Sequence, residues 1–481
     1  MNIFIKTKSY LKRYGALNLI RKVTEKASRG FDISEEFACE NLTDEELLKQ
    51  RNYKFLHSPV ISIVMPVYNP DDRYFRQTLN SIKNQSYENW QLCIGDAGNN
   101  KKNKILEEVF GNDDRVKYLD IPVNYGISGN SNKALELATG GYIGLMDHDD
   151  ILTSDALFMI VSKLNEGYDI VYTDEDKTDE NLNRYFSVYR KPDFKHLAVL
   201  PNQPVYGYRH VKRNILKLKQ LLHLLLLSNN YMCHFTVISK KIISEAGNFR
   251  SEYDGAQDYD LFLRCIEKTD RIGHVNKVLY HWRTVGGSTS GNPFNKEYAF
   301  DAGKRALQDY ILRNNIKGVK VAQMEDPGYY RIRCGRKGKL SLSMVVDGTI
   351  TNDGSDYYLV LDENMKISSS DIDKMLKRAY FTGADIVVPK IIRNGRYEYN
   401  GRAYTGNGYT PSLKGKREWY KGQSNLGILN MDVNIVPAKG ILIRKKLYDK
   451  YINHKGRYIC NLKGSFKGVK MVYAPESVIS K

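Results

Sequence analysis

The sequence has no two cysteines in a CxxC spacing, because its six cysteines stand far apart at 39, 93, 233, 265, 334 and 460. That scatter excludes a zinc ribbon or a compact disulfide framework and fits reduced thiols in a cytoplasmic protein. No apolar run comes near the roughly 20 residues that span a bilayer. The Leu-rich stretch at 221–227 is much shorter, and Ile3-Phe4-Ile5 is too short for a signal-peptide core. Zinc-finger spacings, RNP-like runs and KH-type loops are missing too, so nucleic acid is not an expected partner. Acidic residues are scarce in three places. Residues 1–30 hold eight Lys/Arg against Glu25 alone, residues 194–244 hold eight and no acid, and residues 391–481 hold eighteen against five.

What is present is the composition of a soluble globular chain, 42% hydrophobic and 27% charged, and 481 residues exceed one compact core of ordinary size. At least two domains are expected. The net charge of +18 gathers in the three acid-poor stretches, leaving the remainder net acidic. Basic patches of this kind suit diphosphate substrates or anionic lipid head groups; solubility alone is the plainer alternative.

Residues 1–57 read as a basic helical arm, with Tyr10, Tyr14, Leu17 and Ile20 at helical spacing and Lys/Arg between them. Such an arm can lie on anionic lipid or dock on its own protein. From residue 59 the pattern changes. Short apolar runs at 60–65, 90–94, 116–121 and 142–146 read as strands, with helical spacing at 72–85 and 130–137 between them. This alternation predicts an α/β fold with a mostly parallel, Rossmann-like sheet. Ligands of such sheets sit at the carboxyl ends of the strands.

Reading off those ends gives Pro66-Val67-Tyr68-Asn69, then Asp96-Ala97-Gly98, then Asp147-His148-Asp149-Asp150. An Asp after a strand is often only a turn or cap; the ordered set carries the argument. Carboxylates at i and i+2 can share one hard cation, Mn²⁺ or Mg²⁺, that bridges a diphosphate. Further on, Tyr172-Thr173-Asp174-Glu175-Asp176 ends another apolar run, and Gly255-Ala256-Gln257-Asp258-Tyr259-Asp260 opens a helical pattern. One of Asp258 and Asp260 is expected to cap that helix, leaving the other free to serve as a general base. His281, in Leu279-Tyr280-His281-Trp282-Arg283, reads equally as a metal or phosphate ligand and as a packing residue.

In this order the motifs PVYN, GISGNSNKA, LMDHDD, YTDEDK, KPDF, NNY, GNFR, GAQDYDL and LYHWR resemble those of family 2 inverting glycosyltransferases of GT-A fold. Within that family they resemble the bacterial polysaccharide-synthesis type, related to tandem-domain O-antigen, rhamnan and capsule enzymes. The likeness runs from about residue 59 to 290. It implies a nucleotide-sugar donor bound by Pro66, Tyr68, Asn69, Asp96, Asn132, Asp147 and Asp174. It also implies Mn²⁺ or Mg²⁺ held by Asp147 and Asp149 with His281 a further candidate, and Asp258 as the catalytic base. Two departures stand out: Asp96 is single where many relatives have two acids, and the stretch between KPDF and NNY is longer than usual. That basic insertion, about 195–228, carries Ile215, Leu218, Leu222 and Leu225 at helical spacing. It is read as gripping a lipid-diphosphate acceptor, or else as a packed helix pair or dimer contact.

Tyr357-Tyr358-Leu359-Val360-Leu361-Asp362-Glu363-Asn364 lies over Tyr142–Asp149, and Gly383–Val388 over Gly167–Tyr172. A duplicated unit is expected, worn in its second copy: the segment before Asp362 is much shorter, Asn364 replaces the second metal carboxylate, and no QDYD-like base follows. The expected organisation is therefore a basic arm over 1–57, a GT-A domain over 58–322, and a truncated, non-catalytic GT-A-like domain over 323–481. The expected activity is transfer of a hexose-type sugar from a UDP- or dTDP-linked donor to a glycan acceptor, lipid-linked and met at the inner face of the cell membrane. Oligomer formation stays open. The rival reading is a non-catalytic scaffold that binds glycan or membrane.

Overall fold

A computed structural model describes residues 42–183, 185–194, 225–284, 297–335, 340–351, 355–401, 412–418, 429, 431–433, 435–451, 458–460 and 469–481. The arm as far as residue 41, the insertion over 195–224 and the Gly286–Ser290 loop lie outside them. Of the insertion's apolar positions, Leu225 is described, and it is buried in the core together with Leu226 and Leu227.

The described chain opens with helix α1 (Asp44–Asn52), started by a reciprocal capping box between Thr43 and Glu46. The elements β1 (Ile61–Val67), α2 (Asp72–Lys83), β2 (Trp90–Asp96), α3 (Asn103–Phe110), β3 (Val116–Asp120), α4 (Gly126–Glu136) and β4 (Tyr142–Leu145) then alternate as expected. The Asp71 carboxylate caps α2 by accepting from the Arg73 and Tyr74 amides, and the helix turns Phe75, Leu79 and Ile82 onto the sheet. Each fully buried side chain of that size contributes about 1.5–3 kcal/mol of transfer free energy. Strands β1 and β2 are buried on both faces, which is why they read as unbroken apolar runs.

There follow β5 (Ile151–Leu152), α5 (Ala156–Leu164), β6 (Ile170–Thr178), β7 (Tyr185–Tyr189), β8 (Thr236–Ser239), α6 (Lys240–Ala246), α7 (Gln257–Cys265) and β9 (Ile272–Arg283). The nine strands form one sheet in the order β3-β2-β1-β4-β8-β6-β9-β5, with β7 beside β6. Neighbours are parallel from β3 to β4. Strand β8 runs antiparallel between β4 and β6, while β6 and β9 are parallel. Strands β1, β2, β4, β6 and β9 therefore all end at one edge, where the residues that follow β1, β2 and β4 come together.

Helix α8 (Glu297–Arg313) leads to a hairpin, β10 (Val319–Gln323) and β11 (Tyr330–Cys334). Tyr330 ties this hairpin to the segment before β8 and to α8: its amide donates to the Ser228 carbonyl at 2.8 Å and its hydroxyl to the Phe300 carbonyl at 2.9 Å. A Cβ on Gly303 would stand 2.1 Å from that hydroxyl oxygen, so only glycine lets α8 pass so close.

The second sheet repeats the first. In the first, Tyr142 stands beside Ile61 and Ser239; in the second, Tyr357 stands beside Leu342 and Arg444. Ile170 pairs with Ile272 as Ile386 pairs with Met471. The amides of Asp169 and Ile170 both donate to the Arg271 carbonyl, and those of Asp385 and Ile386 both donate to that of Lys470. A short helix follows directly on Ser239 in one sheet and on Arg444 in the other. The differences are as plain. Between the strands Leu342–Val346 and Tyr357–Leu361 lies only the two-residue strand Thr349–Ile350, so β2, β3 and their helices have no counterpart among the described residues. Buried side chains of both sheets, from Val64 and Ile143 to Tyr358 and Val388, belong to one continuous core.

Candidate active site

The loop after β1 and the end of β2 are tied together by their polar groups. The Asn69 side-chain oxygen accepts from the Asn99 amide at 2.8 Å. Asp96, fully buried, accepts from the Gly98 amide at 2.8 Å, the Lys102 amide at 2.9 Å and the Tyr118 hydroxyl at 2.9 Å. Asp96 thus organises the 98–102 loop. A Cβ on Gly98 would lie 2.8 Å from the Asn69 side-chain oxygen and 3.1 Å from that of Asp96, so this corner accepts only glycine. Above it, the Tyr68 ring is 49% exposed, at the end of a strand whose Pro66 and Val67 face Gly95 and Asp96. Asn132 uses both halves of its amide on the Phe249 backbone, at 2.9 and 3.0 Å, and so fastens α4 to the segment before α7.

The acidic turn after β4 divides its carboxylates by environment. Asp147 is exposed, His148 and Asp149 are partly buried, and Asp150 is buried. Burial, reinforced by the charges of Asp149 and Asp147, pushes the Asp150 carboxyl well above the usual range. Asp150 accepts from the Tyr280 hydroxyl at 2.5 Å and the Arg283 amide at 2.8 Å. The Arg283 guanidinium donates to the carbonyls of Asp149 at 2.6 Å and Glu180 at 2.8 Å. The sequence had singled out LYHWR for His281; Tyr280 and Arg283 are the residues of that run which brace the acidic turn.

Potential ligand atoms of Asp147, Asp150 and His234 lie within 4.8 Å of one another, the one such group of three among the described residues. It contains neither Asp149, expected as a metal ligand, nor His281, the further candidate. His281 is buried, with Nδ1 2.6 Å from the Asp176 carboxylate. Two carboxylates and an imidazole form a mixed O/N donor set suited to a divalent cation such as Mn²⁺. His234 escaped the sequence reading because it lies in no motif with metal spacing; its ring stacks on Tyr280 at 4.9 Å.

Asp258 lies in the first turn of α7, partly exposed, where it accepts from the Asn230 side chain at 2.7 Å and the Tyr259 amide at 2.8 Å. Burial raises its pKa against the pull of His234 and its two hydrogen bonds, and the Asp147 charge adds to the rise. Base candidate and acidic turn therefore feel each other's charge. The expectation that one of Asp258 and Asp260 caps the helix fails: Ala256 occupies the N-cap, with no side-chain hydrogen bond. Asp260 is instead buried between Arg250, at 2.5 Å, and Arg264, at 2.8 Å. Two arginines solvate a buried carboxylate better than one turn of backbone amides.

Asp174, expected near the donor, is buried and accepts from the Lys191 amide at 2.8 Å, with His274 at 2.8 Å. The other His274 nitrogen lies 2.9 Å from Asp193. Asp174 thus anchors the start of the KPDF segment to the sheet.

Compared with known proteins, residues 62–246 match the model of glycosyl transferase family 2. A protein of Sinorhizobium fredii is 32% identical over 348 residues, 71% of this chain and 33% of that protein. An O-antigen biosynthesis protein of Myxococcus xanthus is 26% identical over 60% of this chain and 20% of its own length. A chondroitin synthase of Pasteurella multocida is 28% identical over 48% of this chain and 21% of its own length. The chain thus spans a fifth to a third of the length of these relatives. The match covers the strands and loops that carry Asp96 and Asp147–Asp150, and the fold around them is GT-A-like. On these grounds residues 62–246 of the chain form a glycosyl transferase family 2 domain.

Proposed function

We propose that the chain transfers a sugar, with inversion, from a nucleoside-diphosphate donor to a glycan acceptor in bacterial cell-surface polysaccharide synthesis. The observation that carries this reading is the meeting of Asp258 with Asp147, Asp150 and His234 at one sheet edge. The nucleotide would lie along Tyr68, Asn69 and the Asp96 loop. Asp147, Asp150 and His234 would hold Mn²⁺ or Mg²⁺, with Asp149 beside them; when bound, such an ion stabilises negative charge on the departing phosphate oxygen. Asp258 accepts the proton of the attacking hydroxyl, a poor nucleophile until relieved of it. A single displacement on the face opposite the leaving diphosphate inverts the anomeric carbon.

The relatives' names, an O-antigen biosynthesis protein and a chondroitin synthase, support a polysaccharide acceptor. A polyprenyl-diphosphate carrier at a membrane surface fits the basic stretches, and no described helix is long and apolar enough to cross a membrane. The second sheet is proposed to be non-catalytic. The positions of Asp174, Asp176 and His281 in the first sheet fall on Lys390, Ile392 and Ser480 in the second.

The test is transfer across a panel of nucleotide sugars with Mn²⁺ or Mg²⁺, read by release of nucleoside diphosphate. Wild type should turn over at least one donor, and Asp258→Asn should not. If both are equally inert on every donor and acceptor while polysaccharide still binds, the protein is a binding scaffold.

A further inference from the structure

Lys191 is fully buried, an uncommon place for an ammonium. Its Nζ donates to the Glu175 carboxylate at 2.9 Å, to the Met232 carbonyl at 3.1 Å and to the His234 carbonyl. All three donors of the ammonium are thereby used. The same Glu175 oxygen accepts from the His234 amide at 3.2 Å. Both backbone polar groups of His234 are thus held by one ion pair, rooted in β6 and the KPDF segment. On the other side the His234 ring lies flat on Tyr280, whose hydroxyl holds Asp150. Among the described residues no other lysine combines full burial with three acceptors.

A buried ion pair is a poor source of net stability, since desolvation offsets most of the attraction. Its effect here is on geometry: two carbonyls and an amide of one short loop are fixed to a rigid strand. We infer that Lys191 and Glu175 are positioning residues that hold His234 beside Asp147 and Asp150, so that the imidazole serves as a preset ligand for the divalent cation. The inference rests on the proposed cation at this edge and adds what aims its nitrogen donor. Supports of metal ligands typically account for about 10–100-fold of affinity.

The experiment titrates Mn²⁺ alone into the full chain and follows the free-ion signal by electron paramagnetic resonance, with a thermal melt of each variant. His234→Phe keeps a flat ring for Tyr280 and removes the nitrogen. Lys191→Met with Glu175→Gln removes both buried charges together, so that neither is left unpaired. The expected result is Mn²⁺ binding by wild type and affinity reduced about 10–100-fold in both variants. In the paired variant, melting should stay within a few degrees of wild type. Wild-type affinity in His234→Phe overturns the role of the imidazole, and wild-type affinity in a folded Lys191→Met/Glu175→Gln overturns the positioning. Should the paired variant fail to fold, Glu175→Gln alone, which keeps the side chain's shape and an acceptor for Lys191, is titrated in its place, and wild-type affinity there overturns the positioning. If wild type itself binds no Mn²⁺, the proposed cation falls, an outcome distinct from unchanged variants.

Discussion

The Tyr280 hydroxyl donates to a carboxylate oxygen of Asp150 across 2.5 Å, joining β9 to the acidic turn that follows β4. Burial and the Asp150 charge both push the phenol well above its usual range, so it stays protonated and donates at every working pH. Tyr280→Phe keeps the stacked ring and leaves Asp150 with the Arg283 amide. The expected cost is about 1–3 kcal/mol of stability, as for a buried acceptor that loses a partner, read from urea unfolding. Weaker Mn²⁺ binding should accompany it, because Asp150 loses one of its two anchors. A variant as stable as wild type would show that the bond contributes nothing.

Asp258 gives the activity its pH dependence. Its raised pKa means that the neutral form persists above the ordinary carboxylate value of about 4. A base works ionised, so kcat/KM should rise with pH along a single-proton limb whose midpoint lies above that value. Asp258→Asn should lose about 10²–10⁴ in rate with nucleotide binding intact. Asn230→Ala removes a hydrogen bond that favours the charged form, so the limb should move to higher pH. A limb that stays in place would exclude Asp258 as the titrating group.

Much of this site was legible in the sequence because strand ends are legible. Apolar runs at 60–65, 90–94 and 142–146 mark β1, β2 and β4, and the residues that follow each run must fall at the ligand edge of a parallel sheet. The worn repeat was readable for the same reason, since the same apolar pattern precedes Asp147 and Asp362. His234, Lys191 and the bracing roles of Tyr280 and Arg283 were not. They depend on contacts between residues 16 to 134 positions apart, which no local pattern encodes. The capping expectation at Asp258 and Asp260 failed for a local reason: Arg264, one turn on, and Arg250, ten residues back, take up the Asp260 carboxylate.

His274 makes stability fall toward alkaline pH. Burial works against the imidazolium, but hydrogen bonds to Asp174 and Asp193 outweigh it and raise the pKa above the ordinary value. A group raised in the folded state stabilises fully below its unfolded pKa of about 6.5 and loses that contribution as pH climbs through the folded value. Unfolding free energy should therefore decline as pH rises above about 6.5, and His274→Asn should flatten the decline. An equal slope in the variant would assign the pH dependence elsewhere.

The two acidic edges should respond differently to the same substitution. Asp362 lies at the place of Asp147 in the repeat, yet its carboxylate accepts from Lys481 Nζ at 2.5 Å, and nearby Asp347 accepts from Lys439 Nζ at 2.6 Å. Lysine ammonium groups thus neutralise the second edge from within, where the first edge keeps Asp147 exposed. Asp149→Ala takes a carboxylate from the working turn. Transfer should drop by about 10²-fold or more, the scale of losing several kcal/mol of charge stabilisation. Asp362→Ala breaks an internal ion pair and a turn hydrogen bond from the Asn364 amide; activity should stay within about twofold, while stability falls by about 1 kcal/mol. Parallel turnover and melting measurements on the two variants separate these outcomes, and loss of transfer in Asp362→Ala would mean that the second sheet takes part in the chemistry.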